Sequence, residues 1–252
     1  MSKDIDQKKF ELKSIQNLLG LHSGGLEFLE KLDYSEINTL RNQIIIFMQD
    51  GQKEVWAPIA KVSKFLPNFL NAKATEEILG AKIAANLSYH LPASDALGIA
   101  GHFSIKFFAD VLENLVPEKI EDMIKQSPHD LMRRAVNELL KRQNHFLIGS
   151  LIDYTPIESV EKIARGIENM DDLILVTSNA RDKKRVLKLF EKFEETKIVA
   201  VVKAGLQEKL RDSFRMIYEQ ADEDLINKTK NILTSRDGEI LSKFNELLNT
   251  SA

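Results

Sequence analysis

Apolar residues along this chain recur at the three-and-four spacing of an α-helix. Phe10, Leu12, Ile15, Leu18 and Leu19 form one stripe, with lysines and glutamates between them. The pattern returns at Ile37, Leu40, Ile44, Phe47 and Met48, and at Ile78, Leu79, Ile83 and Leu87. It recurs at Leu131, Ala135, Leu139 and Leu140, then at Leu206, Leu210, Phe214 and Ile217. No stretch alternates cleanly, and Asp237-Gly238 sits between helical patterns rather than between β-like runs. One segment competes: Ile198 to Val202, flanked by Lys197 and Lys203, is rich in β-branched residues. A lone strand has no partner to pair with, so a helix is predicted there.

The breaks between helices are short. Ser127-Pro128-His129-Asp130 reads as an N-cap, a proline in the first helical turn and an acid near the positive end of the helix. Thr155-Pro156-Ile157-Glu158 repeats that arrangement, and Thr75-Glu76-Glu77 is a plainer version. Asp33 and Glu36 have the spacing of a capping box. Gly20, Gly24, Gly25, Gly51 and Gly205 lie near helix ends, where a left-handed residue is often needed. The stretch from Leu206 to Leu248 reads as two longer amphipathic helices meeting near Ser235 to Gly238.

Pro67, Pro92 and Pro117 are separated by 25 residues, twice in succession. Ile83-Ala84-x-x-Leu87 and Phe108-Ala109-x-x-Leu112 repeat at the same interval, and Ile163-Ala164-x-x-Ile167 carries the pattern further on, out of register. A small alanine beside a bulky residue lets neighbouring helices approach closely. One or two short helices cannot bury an apolar face alone, so such units stack into a solenoid closed by a terminal cap. The expected organisation is all-α: N-terminal helices over residues 1–70, a helical-repeat core over 71–205 and a C-terminal helical cap over 206–252.

Leu91-Pro92-x-x-Asp95 and Leu115-Val116-Pro117-Glu118, each followed by an apolar helix, resemble the repeats in the cytosolic N-terminal domain of MgtE-type magnesium transporters. The middle region of the flagellar motor protein FliG is similar. The resemblance covers roughly residues 75 to 195 and rests on pattern alone. It implies a right-handed superhelix of short helices serving as a regulatory or docking element. The transporter's sensor modules and membrane domain have no counterpart here, so ion transport and magnesium binding are not carried over. FliG's charged motor-contact motif has no match either.

Composition narrows the function classes. The 252 residues are 43% apolar and 29% charged, which suits a folded chain. With 35 basic and 38 acidic residues the formal net charge is -3, which argues against a wholly basic DNA-binding surface but leaves room for a local patch. The absence of cysteine excludes disulfides, thiolate metal sites and cysteine nucleophiles. The longest purely apolar runs, Ile44 to Met48 and Ile198 to Val202, are far too short to span a bilayer. The charged N-terminus lacks a signal-peptide pattern, so a cytoplasmic location is expected.

Candidate chemistry is sparse. Among His22, His90, His102, His129 and His145, the His129-Asp130 pair invites comparison with metal phosphohydrolases, with His90, His102 and Asp153 as further ligands. Pro128 instead puts the pair at a helix start facing solvent, and no metal or cofactor is expected. Carboxylate pairs such as Glu121-Asp122 and Asp171-Asp172 point about 100° apart on a helix, which suits a solvated face better than acid–base chemistry. No phosphate-binding glycine loop or serine elbow occurs, and no catalytic residue is assigned. Arg181, Arg185, Lys188 and Lys192 share a helix face and form a candidate nucleic-acid stripe, unless Glu191, Glu194 and Glu195 neutralise it. Trp56, Leu206, Leu210 and Phe214 are candidate partner contacts, with a homodimer through the C-terminal helices as one form. The preferred expectation is a non-catalytic scaffold that docks a protein. A nucleic-acid-associated protein and an enzyme with an unrecognised site are the alternatives.

Overall fold

A computed structural model describes residues 2–21, 25–50, 53–63 and 65–249. His22, Gly24 and Gly51 lie outside the described residues. The described residues are helical throughout and contain no strand. The chain divides into two compact units, residues 1–138 and 139–252, so the borders expected near 70 and 205 fall inside them.

The first unit begins with α1 (Ser2–Leu18) and α2 (Tyr34–Asp50), which pack together around Ile15, Leu26, Leu29 and Ile37. The Asp33 amide donates to Glu36 at 2.8 Å and the Glu36 amide to Asp33 at 2.9 Å, so the expected capping box is present. Buried Arg41 of α2 donates to Ser14 at 2.6 Å, lies 3.4 Å from buried Glu11 and pairs with Glu118. Next come α3 (Lys53–Ser63), α4 (Asn68–Ala74), α5 (Ala81–Ser88), α6 (Ala93–Ala100), α7 (Ile105–Glu113), α8 (Glu121–Gln126) and α9 (His129–Lys141). Packing skips one element at a time: α3 on α5, α5 on α7, α4 on α6, and α6 on α8. Ala84 and Ala109 are both buried, as the small-residue motif requires for close approach.

The second unit contains α10 (His145–Ile152), α11 (Ile157–Gly166), α12 (Met170–Ser178), α13 (Lys183–Phe190), α14 (Glu195–Gly205), α15 (Arg211–Tyr218), α16 (Glu223–Arg236) and α17 (Gly238–Asn249). Helix starts recur at 145, 170 and 195, and each of these helices packs on the next of the three. The β-branched segment lies in α14, a helix as predicted; Ile198, Val201 and Val202 enter one apolar core that runs on to Leu247. The region beyond Leu206 holds three helices rather than two, because Asp222 accepts from the Leu225 amide at 2.9 Å and starts α16 anew.

Pro156 acts one position earlier than expected, and Pro67 and Pro92 share its geometry. Pro67, Pro92 and Pro156 have ψ of 143, 144 and 136°, outside the helical range, and their carbonyls accept the first helical N–H bonds. They are themselves N-caps rather than first-turn residues. The preceding hydroxyls are thereby freed to serve the helix behind: Ser127 donates to the Met123 carbonyl and Thr155 to that of Leu151. Thr75 starts no helix, since α4 runs on into a π turn, Thr75–Leu79, that ends at left-handed Gly80 (φ 84°). Gly205 serves close packing instead of a left-handed cap: a Cβ there would strike the Phe214 ring.

Candidate functional site

Exposed large apolar side chains among the described residues all lie in the first unit: Leu19, Leu21, Phe28, Ile46, Phe47 and Met48 ahead of α3, and a larger group from α3 onward. On α3, Val55, Ile59 and Val62 lie four and three residues apart and are all exposed. The turn that follows adds Phe65, 87% exposed, and Leu66; α4 adds Phe69 and Leu70; the π turn adds Ile78, 79% exposed, and Leu79. The corner is held by Asn71, whose amide donates to the Ser63 carbonyl at 2.7 Å and the Leu66 carbonyl at 3.1 Å. The inner sides of α3 and α4 pack on α5 and α6, so the outward residues have no described neighbour to cover them. Trp56, on α3, is half-buried. Beyond Leu79 no large apolar residue of the described chain is exposed.

Beneath this face lies a partly open cavity of about 70 Å³, lined mainly by apolar residues that include Leu87, Leu97, Phe108 and Leu112, with Asn71 and Thr75 on its wall. Comparable apolar cavities accept only small molecules, and ordinary ligand pockets are several times larger.

The other candidates occupy different surroundings. Leu210 and Phe214 are buried in the core of the second unit, where Phe214 meets Tyr218 at 4.7 Å and Phe244 at 6.3 Å between ring centres. Leu206 is half-buried against the same core. The C-terminal apolar stripe is therefore engaged within one chain, and it offers no free face for the dimer contact expected of it. Burial also pushes the Tyr218 phenol up to about 12, against a weak opposing bond from Thr229.

The basic row is largely engaged as well. Arg185 donates to the carbonyls of Ile152 at 2.7 Å, Asp153 at 3.0 Å and Thr155 at 2.5 Å, satisfying the C-terminal end of α10. Lys192 donates to Glu161 at 2.8 Å, and Glu161 also receives Arg165. The amides of Arg181 and Asp182 donate to the Asp153 carboxylate, whose pKa burial raises against these bonds. Lys188 is exposed. Of the expected counter-charges, Glu195 pairs with Arg236 instead. Lys197 caps α11 similarly, donating to the carbonyls of Ala164, Arg165 and Ile167. The repeated use of a cation three helices downstream is not visible in the spacing of the basic residues.

His129 and Asp130 do not act as a pair. Asp130 is exposed and bonded to Arg133 at 2.6 Å, which holds its carboxyl below the usual range. The Nε2 of His129 is buried without a hydrogen-bond partner, so this side chain is turned inward rather than to solvent. Among the described residues no three His, Asp or Glu side chains gather as a metal site would need. No described helix is long and apolar enough to cross a membrane. Comparison with known families, characterised proteins and solved structures returns no match for this chain.

Proposed function

We propose that this chain is a non-catalytic helical-repeat scaffold, a solenoid of short helix pairs, that docks a protein partner through the outer face of α3, α4 and the π turn. The observation that carries the reading is the set of exposed side chains from Val55 to Leu79. A row of stacked helix pairs needs a polar outer face at each end. The outward positions of α16 and α17 are polar, Glu239, Ser242, Lys243 and Glu246, whereas α3 and α4 with the turn between them present Val62, Phe65 and Phe69 to water. Apolar patches larger than a few hundred Å² mark interaction surfaces on folded proteins. The skip-one packing within each unit, the recurring helix starts and the resemblance to MgtE-type and FliG repeats support the solenoid.

The test is affinity capture from the native cytoplasm by the unaltered chain and by a Phe65→Asp/Phe69→Asp variant. Both side chains are more than half exposed, so the variant keeps its fold, which circular dichroism checks. A protein retained by the first and lost by the second supports docking here. Identical captures from both remove this face from the reading.

A further inference from the structure

We infer that the cavity of the first unit is a binding site for a small neutral molecule with a hydroxyl on an apolar body, a short-chain aliphatic alcohol. The inference stands independently of the docking reading.

The wall sets the charge and size of the ligand. Leu87 of α5, Leu97 of α6, Phe108 and Leu112 of α7, and Met132 of α9 make it chiefly apolar, and no charged side chain of the described residues lines it. An ion would leave water here without a counter-charge, which is costly, so the site suits a neutral ligand. The volume of about 70 Å³ is roughly half that of the ~150 Å³ apolar cavity known to accept benzene, which limits the buried part to a few heavy atoms.

Two polar groups on the wall select a hydroxyl. The serines there are already engaged by their own helices: Ser63 donates to the Ala60 carbonyl at 2.8 Å, Ser88 to Ala84 at 2.8 Å and Ser127 to Met123 at 2.9 Å. Buried helical threonines usually bond backward in the same way. Thr155, Thr177 and Thr229 do so, each to the carbonyl four residues earlier, at 2.8, 2.7 and 2.8 Å. Thr75, 8% exposed, is the exception among the buried threonines, because its hydroxyl has no hydrogen-bond partner among the described residues. It stands at the start of the π turn, a distortion that recurs at functional sites. Asn71, one turn earlier, commits both amide hydrogens to the Ser63 and Leu66 carbonyls, which leaves its Oδ1 as an acceptor. An alcohol can donate to Asn71 and accept from Thr75 while its chain covers the apolar wall. A single water would satisfy the same two groups, but buried water typically makes about three hydrogen bonds and leaves such a wall uncovered.

The test is an amide chemical-shift titration of the full chain by NMR with 1-butanol, up to about 50 mM, a range suited to a ligand of so few atoms. Saturable shifts centred on the lining residues are expected. Butyrate, of the same length but charged, is expected to produce none. Methyl propyl ether, the isomer of 1-butanol that cannot donate, is expected to bind several-fold more weakly. Thr75→Val keeps the shape and breaks no hydrogen bond within the chain, so its melting temperature is expected to hold while 1-butanol binds about five-fold more weakly. Shifts that stay linear in 1-butanol, or that centre away from the cavity, overturn the inference and leave water as the occupant. Equal binding of butyrate or of the ether also overturns it, as does unchanged affinity in Thr75→Val.

Discussion

The helices from α10 to α17 and the pair α3–α4 are built from the same kind of amphipathic segment, yet they treat their apolar sides in opposite ways. In the second unit Val201, Phe214, Leu233 and Phe244 disappear into one core, and every described large apolar residue there is at least half-buried. On α3 and α4 the equivalent stripe faces water. The second unit closes on itself because α15, α16 and α17 fold back on α14. The first unit leaves a flank uncovered at α3 and α4. A helical stripe needs a cover, and the difference between the two regions is whether this chain supplies it.

The contrast can be broken most sharply by truncating one phenylalanine in each region. Phe214→Ala removes a ring that is 1% exposed and is expected to cost about 4 kcal/mol in denaturant unfolding. Phe65→Ala, at a ring 87% exposed, is expected to change the stability of the isolated chain by less than about 0.5 kcal/mol. Similar losses at both sites would mean that the α3–α4 corner is packed after all.

A second test uses pH. The Tyr218 phenol has its pKa raised to about 12 in the folded state, above the ordinary value of 10.0. Between these two values the unfolded chain releases the proton and the folded chain keeps it. Stability from this group is therefore fully present below pH 10 and is lost as pH rises toward 12, by about 3 kcal/mol. Tyr218→Phe should show a shallower alkaline decline than the unaltered chain in chemical melts from pH 9 to 12. Parallel curves would show that water reaches this core.

A third test concerns the basic row. Arg185→Gln loses donors to three carbonyls at the end of α10 and is expected to lower stability by about 1–2 kcal/mol. A fall in affinity for labelled DNA at low salt, with stability unchanged, would instead assign this guanidinium to phosphate.

Much of the helical architecture was legible in the residue pattern. The capping box at Asp33 and Glu36, and the helix over the β-branched run of α14, follow from interactions within a few residues and from the lack of a pairing strand. Errors arose where two local options compete for one group. Thr155 can cap the helix ahead or bond to the helix behind, and the extended ψ of Pro156 selects the second. The stripe through Leu206, Leu210 and Phe214 is amphipathic in sequence, yet Leu210 and Phe214 are buried, because a stripe looks the same whichever neighbour covers it. The converse holds for Ile78 and for Phe47, each aligned with buried residues in sequence and each about 80% exposed.

Helix positions, the α-helical class and the turn chemistry depend on hydrogen bonds and rotamers a few residues apart, so one-dimensional spacing carries them. Whether a given apolar flank is core or surface depends on side chains 25 or more residues away and on which helix packs across it. Arg185 is a structural cap rather than a free cation because the carbonyls of Ile152, Asp153 and Thr155 come to it through folding. Val62 and Phe65 stand open to solvent because no other described helix of the chain is folded over them.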